Sequence, residues 1–153
     1  MNASEHLARE LEKALFGEAW HGPSWREVLD GVIAENAVLR PLPAAHTIAE
    51  IVAHATTWFH VVHQRLNGEN PQVSDQEDWP NVEGFATGDW SELRERSLAR
   101  ARTLVETVRS MSPERLHESR PGLKDTWFEL VSGELQHVLY HAGQVGLLKK
   151  ATS

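Results

Sequence analysis

The chain has 153 residues, 41% of them hydrophobic, with 22 acidic and 15 basic side chains and a formal net charge of -7, which fits one domain with its own core over residues 1–153. The acidic balance argues against a nucleic-acid partner, because affinity for a phosphate backbone rests on clustered Lys and Arg. The absence of cysteine excludes a disulfide scaffold, a thiolate zinc site, an iron–sulfur cluster and a cysteine nucleophile.

Helical periodicity runs through nearly the whole chain, and strand alternation is absent. Ser4 to Phe16 carries Leu7, Leu11, Ala14 and Leu15 at helical spacing, then meets a breaker-rich turn from Gly17 to Pro23. Ser24 is positioned to cap a short helix through Trp25, Val28 and Leu29 that ends near Gly31. Pro41 and Pro43 forbid a continuous helix in the next stretch. Thr47 to Leu66 reads as a second long helix with Ile48, Ile51, Val52, Ala55, Phe59 and Val62 on one stripe, closed by Asn67-Gly68.

Glu69 to Gly88 is polar and broken by Pro71, Pro80 and Gly84, as expected of a lid, a wrapped loop or a crossover. A third long helix is predicted from Asp89, with Glu92 completing a capping box, to about Met111. The fourth starts after Thr126, paired with Glu129, and runs to a basic end at Lys149-Lys150 that suits the helix dipole. The fold class that follows is all-α: a four-helix bundle with short extra helices. Met1 to His6 lacks the features of a signal peptide, and no apolar run approaches the roughly 20 residues that span a bilayer. A cytoplasmic protein with no membrane partner is the expectation.

With nine histidines and no cysteine, any metal question becomes a question about imidazole. His137 and His141 are four apart on the fourth helix, so both rings lie on nearly one face, one turn apart. That spacing suits two nitrogens on one cation, and neutral imidazole is a good ligand for zinc, nickel, copper or iron. Two helix-compatible polar residues at a core boundary would show the same spacing. The best third ligand is His54, inside the second helix one turn before Trp58; a hydrogen-bonded interface histidine is the commoner situation there. Three histidines on two helices leave open positions for water and substrate. His6, His46, His60, His63 and His117 carry no evident role.

A di-iron site would use Glu134-x-x-His137 and Glu114-x-x-His117. The second copy follows Ser112-Pro113 in an interrupted stretch, and only Glu50 is even loosely placed as a further carboxylate. No Gly-x-Ser-x-Gly elbow, P-loop or dinucleotide fingerprint occurs. Ser132-Gly133 reads as a tight helix crossing. Glu134, Tyr140 and Gln144 are candidates to orient imidazoles, although each is also an ordinary helix-surface residue. Trp20 and Trp58 flank the candidate site in sequence, with core packing as the default and a pocket wall as the alternative.

Three segments carry a family likeness: Ala19-Trp20-His21-Gly22-Pro23-Ser24, the run His46 to His54, and Gln136-His137-Val138-Leu139-Tyr140-His141-Ala142-Gly143-Gln144 continuing to Lys150. Together they resemble the DinB-like (YfiT-like) helical-bundle proteins of bacteria, over nearly the whole chain. The resemblance implies a bundle with a long crossover and a His triad holding nickel or zinc, one ligand on the second helix and an HxxxH pair on the fourth. Carried onto this sequence, those positions are His54, His137 and His141. It also implies homodimers. Some members of the family resemble S-transferases or isomerases that use low-molecular-weight thiols, and others resemble metal-dependent hydrolases. The expected function is therefore thiol S-transfer to an electrophilic small-molecule substrate at a three-His metal site. The alternatives are a hydrolase working through metal-bound water and a bundle that binds metal or ligand without turnover; a helical interaction protein with structural histidines is a further class.

Overall fold

The structure, a computed structural model, describes residues 1–153. It is all-α, with eight helices: α1 (Ala3–Phe16), α2 (Trp25–Leu29), α3 (Ala34–Ala37), α4 (Ile48–Leu66), α5 (Asp75–Asp78), α6 (Thr87–Arg109), α7 (Pro113–Leu116) and α8 (Trp127–Thr152). No helix is long and apolar enough to cross a membrane.

Most helix starts follow from local chemistry. Asn2, Ser24, Thr47, Ser74 and Thr126 each accept the backbone N–H three residues on, and the acidic residue there reaches back to the cap, which satisfies donors that the first turn leaves unpaired. The third long helix departs from expectation. It begins at Thr87, and Asp89 is its third residue rather than its cap, accepting the Ala86 N–H at 2.9 Å. An aspartate is favourable at both positions for the same reason, the partial positive charge of exposed N–H groups.

The four long helices α1, α4, α6 and α8 form the bundle. Helices α6 and α8 both pack against α4 and against α1, so α1 and α4 lie across one diagonal. Cross-helix contacts fix the directions. Arg102 lies over Phe16 and Arg109 pairs with Glu12, so α1 and α6 are antiparallel. Arg100 reaches the Thr56 carbonyl and His63 meets Thr107, so α4 and α6 run parallel. A parallel pair cannot be joined by a short turn. The chain must return the length of α4, about 28 Å for 19 residues, which makes the segment between Asn67 and Ala86 a crossover.

One continuous core fills the space between these helices. Trp25 is central to it: fully buried, edge-on to Phe59 at 6.0 Å, and donating through Nε1 to Ser97 Oγ at 3.0 Å. It thereby ties α2 to α4 and α6. The close crossing on α8 occurs at Gly146, where an added Cβ would stand 3.6 Å from Val28 Cγ1; around Gly133 there is open space. The expected crossing at Ser132-Gly133 is thus corrected. Trp20 departs from the core-packing default as well, standing fully exposed in the turn between Gly17 and Gly22.

Replacing Trp25 by Ala is expected to cost about 3–5 kcal/mol, the usual range for emptying a buried aromatic site. Trp25→Phe keeps most of the packing but strands the Ser97 hydroxyl, at about 1–3 kcal/mol. Urea unfolding of both variants measures the two figures and their order.

Candidate metal centre

His54 projects from α4, while His137 and His141 project from α8. The antiparallel pairing of these helices brings the three rings together. Their ligand atoms lie within 4.8 Å of one another. His137 Nε2 is 2.9 Å from His54 Nε2 and 3.0 Å from His141 Nε2. His54 and His141 are buried, and His137 is partly open.

The opposite ring nitrogens explain why the Nε2 atoms face inward. His54 Nδ1 donates to the Asp78 carbonyl at 2.7 Å and lies 3.1 Å from Asp78 Oδ1. His141 Nδ1 donates to Gln144 Oε1 at 2.7 Å. His137 Nδ1 lies 3.5 Å from Glu134 Oε2. Each partner is an acceptor, so the ring proton resides on Nδ1 and the Nε2 lone pair is free. Three lone pairs aimed at one another repel unless a cation lies among them. The donor set fits a divalent ion of the kind imidazole favours.

The crossover completes the site. The Ser74–Glu77 capping box starts α5, and α5 delivers Asp78 and Trp79. Trp58 Nε1 donates to Asp78 Oδ1 at 2.7 Å, which fixes the carboxylate beside His54. The Trp79 indole is sandwiched between His54 (centroids 3.9 Å, planes 7° apart) and His46 (3.7 Å, 10°). His46, without an evident role in sequence, thus braces the outer face of Trp79.

Glu134 and Gln144 differ from ordinary helix-surface residues. Glu134 is 4% exposed, and its Oε1 has no hydrogen-bond partner. Burial pushes its carboxyl above the usual range, against the smaller opposing effect of His137. Tyr140 does stay on the surface, edge-on to His141 at 5.1 Å. Beside His54 and His137 lies a cavity of about 420 Å³, walled by Trp58, Val62 and Leu130. Gly133 also lines it, one turn before His137, where any larger residue would intrude. Trp58 is therefore a wall of this cavity.

The remaining candidates lie elsewhere. His63 bonds Thr107, and His117 is exposed against Phe128. Glu114 is exposed, and Glu50 accepts from Arg40 and the Thr47 N–H. The second carboxylate-histidine set of a di-iron centre is not assembled. Sequence reasoning missed Asp78 and Trp79; the capping pattern Ser74-x-x-Glu77 immediately before them was the available signal.

Residues 19–145 match the DinB superfamily. The chain matches no curated protein and no solved structure.

Burial is the main reason that His141 is held down to about 4 from the ordinary 6.5, with the neighbouring imidazoles adding to it against the Gln144 bond. As pH falls the unfolded chain takes up this proton first, so the stabilisation is complete above about 6.5 and is lost toward 4. Between pH 7 and pH 5 chelator-treated protein is expected to lose roughly 2 kcal/mol through this residue. Urea unfolding at both pH values should show a smaller loss in His141→Gln; equal losses would count against the assignment.

Proposed function

Because the chain belongs to the DinB superfamily, we propose that it is a divalent-metal enzyme transferring the sulfur of a low-molecular-weight thiol to an electrophilic small molecule. The proposed ligands are His54, His137 and His141, and the proposed ion is nickel or zinc. The observation that carries the metal reading is the facing of three Nε2 atoms whose rings are each committed through Nδ1 to an acceptor. A bound ion supplies positive charge that lowers the pKa of a thiol or water at its open positions.

The chain's own groups then have distinct tasks. Asp78, Glu134 and Gln144 hold the imidazoles in the ligating tautomer and orientation. Trp58, Val62 and Leu130 give the neighbouring cavity an apolar wall, which excludes water from an electrophile lying against it. Glu134 lines that cavity and its Oε1 has no hydrogen-bond partner, so its carboxylate is the group proposed to take the proton the thiol gives up. With no cysteine in the chain, the sulfur has to arrive on a separate molecule. The same free carboxyl oxygen favours one second reading, a hydrolase in which Glu134 takes a proton from water.

Protein purified without an affinity tag is expected to carry about one nickel or zinc per chain. His54→Ala should abolish this, and Gln144→Ala should weaken metal binding about 10–100-fold. Metal content below about a tenth per chain in the wild type would sink the metal reading. Assays of metal-loaded protein with glutathione, bacillithiol or mycothiol and an electrophile separate the two chemistries: thiol-dependent consumption is expected, and thiol-independent hydrolysis would replace transferase with hydrolase.

A further inference from the structure

A second cavity, of about 510 Å³, lies on another flank of α4, between α4, α6 and the crossover. Its most unusual feature is Arg100. The chain has eleven arginines. Five pair with carboxylates: Arg40, Arg94, Arg96, Arg109 and Arg120. Four lie over aromatic rings: Arg26 and Arg102 on Phe16, Arg65 on Trp58, and Arg115 on Trp127. Arg9 is exposed. Arg100 is half-buried, with neither kind of partner, and its one hydrogen bond is a long 3.5 Å contact to the Thr56 carbonyl.

Unpaired guanidinium is costly to bury even in part, and none of the chain's 22 acidic residues pairs with Arg100. Three further side chains around the same cavity can donate hydrogen bonds. His60, Gln72 and Gln76 line it with Arg100, and none of these three side chains hydrogen-bonds to another group of the protein. The carboxylate on the rim, Glu77, turns Oε2 to the Ser74 N–H and hydroxyl at 2.8 Å each and forms no ion pair with Arg100. A planar fork of N–H donors beside two amides and an imidazole matches an oxyanion, which guanidinium binds through two parallel hydrogen bonds.

We propose that this cavity is an anion-binding site, separate from the three-His centre, in which Arg100 holds the carboxylate or phosphate group of a small molecule while His60, Gln72 and Gln76 complete its donors. The site does not depend on metal. It is nevertheless built on the same segment that serves the metal centre: Gln72, Gln76 and Pro80 line this cavity, while Asp78 and Trp79 between them hold His54.

Titrations of the full chain with inorganic phosphate and with acetate, against sodium chloride at equal ionic strength, test the proposal. The readouts are thermal unfolding and the NMR shifts of the His60 ring. At least one oxyanion is expected to raise the unfolding temperature and move the His60 signals saturably, and the better of the two identifies the group. Arg100→Gln should weaken that binding at least about tenfold, Arg100→Lys less, and His54→Ala should leave it within about twofold. Should Arg100→Gln fail to fold, the Gln72→Ala/Gln76→Ala double variant, expected to weaken binding several-fold, replaces it. No saturable response to either oxyanion, or an equal response in the Arg100 variants, overturns the site. Loss of binding in His54→Ala also overturns it, by placing the anion at the metal centre instead.

Discussion

Helices α4 and α6 point the same way, and the chain between them must travel back along the bundle before α6 can begin. That return path is the constraint on which the site depends. A short hairpin would have left the outer side of His54 open to water. The return instead lays Asp78 and Trp79 against that ring, the first through a hydrogen bond and the second through its indole face. The segment is kept in place by chemistry at both levels: a capping box that nucleates one turn of helix, and a Trp58 N–H that fixes the carboxylate the turn delivers.

The electrostatics of the centre follow from this enclosure. Water is removed from two of the three imidazoles, which favours their neutral form. Three different acceptors then draw the ring protons outward, toward a carbonyl and carboxylate of the crossover, a buried glutamate and a glutamine amide. The inner nitrogens are left as bare acceptors at close range. The helices that carry these groups are held by one continuous core, in which Trp25 joins three helices. Lone pairs facing one another in this way are unfavourable, and a cation among them would relieve the repulsion.

Features written in local spacing were legible from the sequence. The boxes Ser24–Glu27, Thr47–Glu50 and Thr126–Glu129 act within four residues, and the His137/His141 pair needs only the helical repeat. The bundle followed from the same periodicity, whereas the crossover was one of three readings of the Glu69–Gly88 connection and came from the family resemblance. The start of α6 was misplaced by two residues because an aspartate stabilises a helix from the cap and from the third position alike. Asp78, Trp79 and His46 were not legible, since their roles depend on where a polar, proline-broken segment comes to rest against α4. Glu134 was suggested by its three-residue spacing from His137, yet its burial depends on neighbouring elements that no local pattern specifies. Trp20 shows the converse: a large aromatic next to glycines carries a strong packing expectation, and this turn leaves it in solvent.

Gly133 carries a consequence of its own. Glycine inside a helix costs about 1 kcal/mol relative to alanine, and here the return is empty volume beside His137. Replacing Gly133 by alanine would favour α8 and add a side chain beside the cavity. Helix stability and open volume beside His137 are thus opposed at a single position.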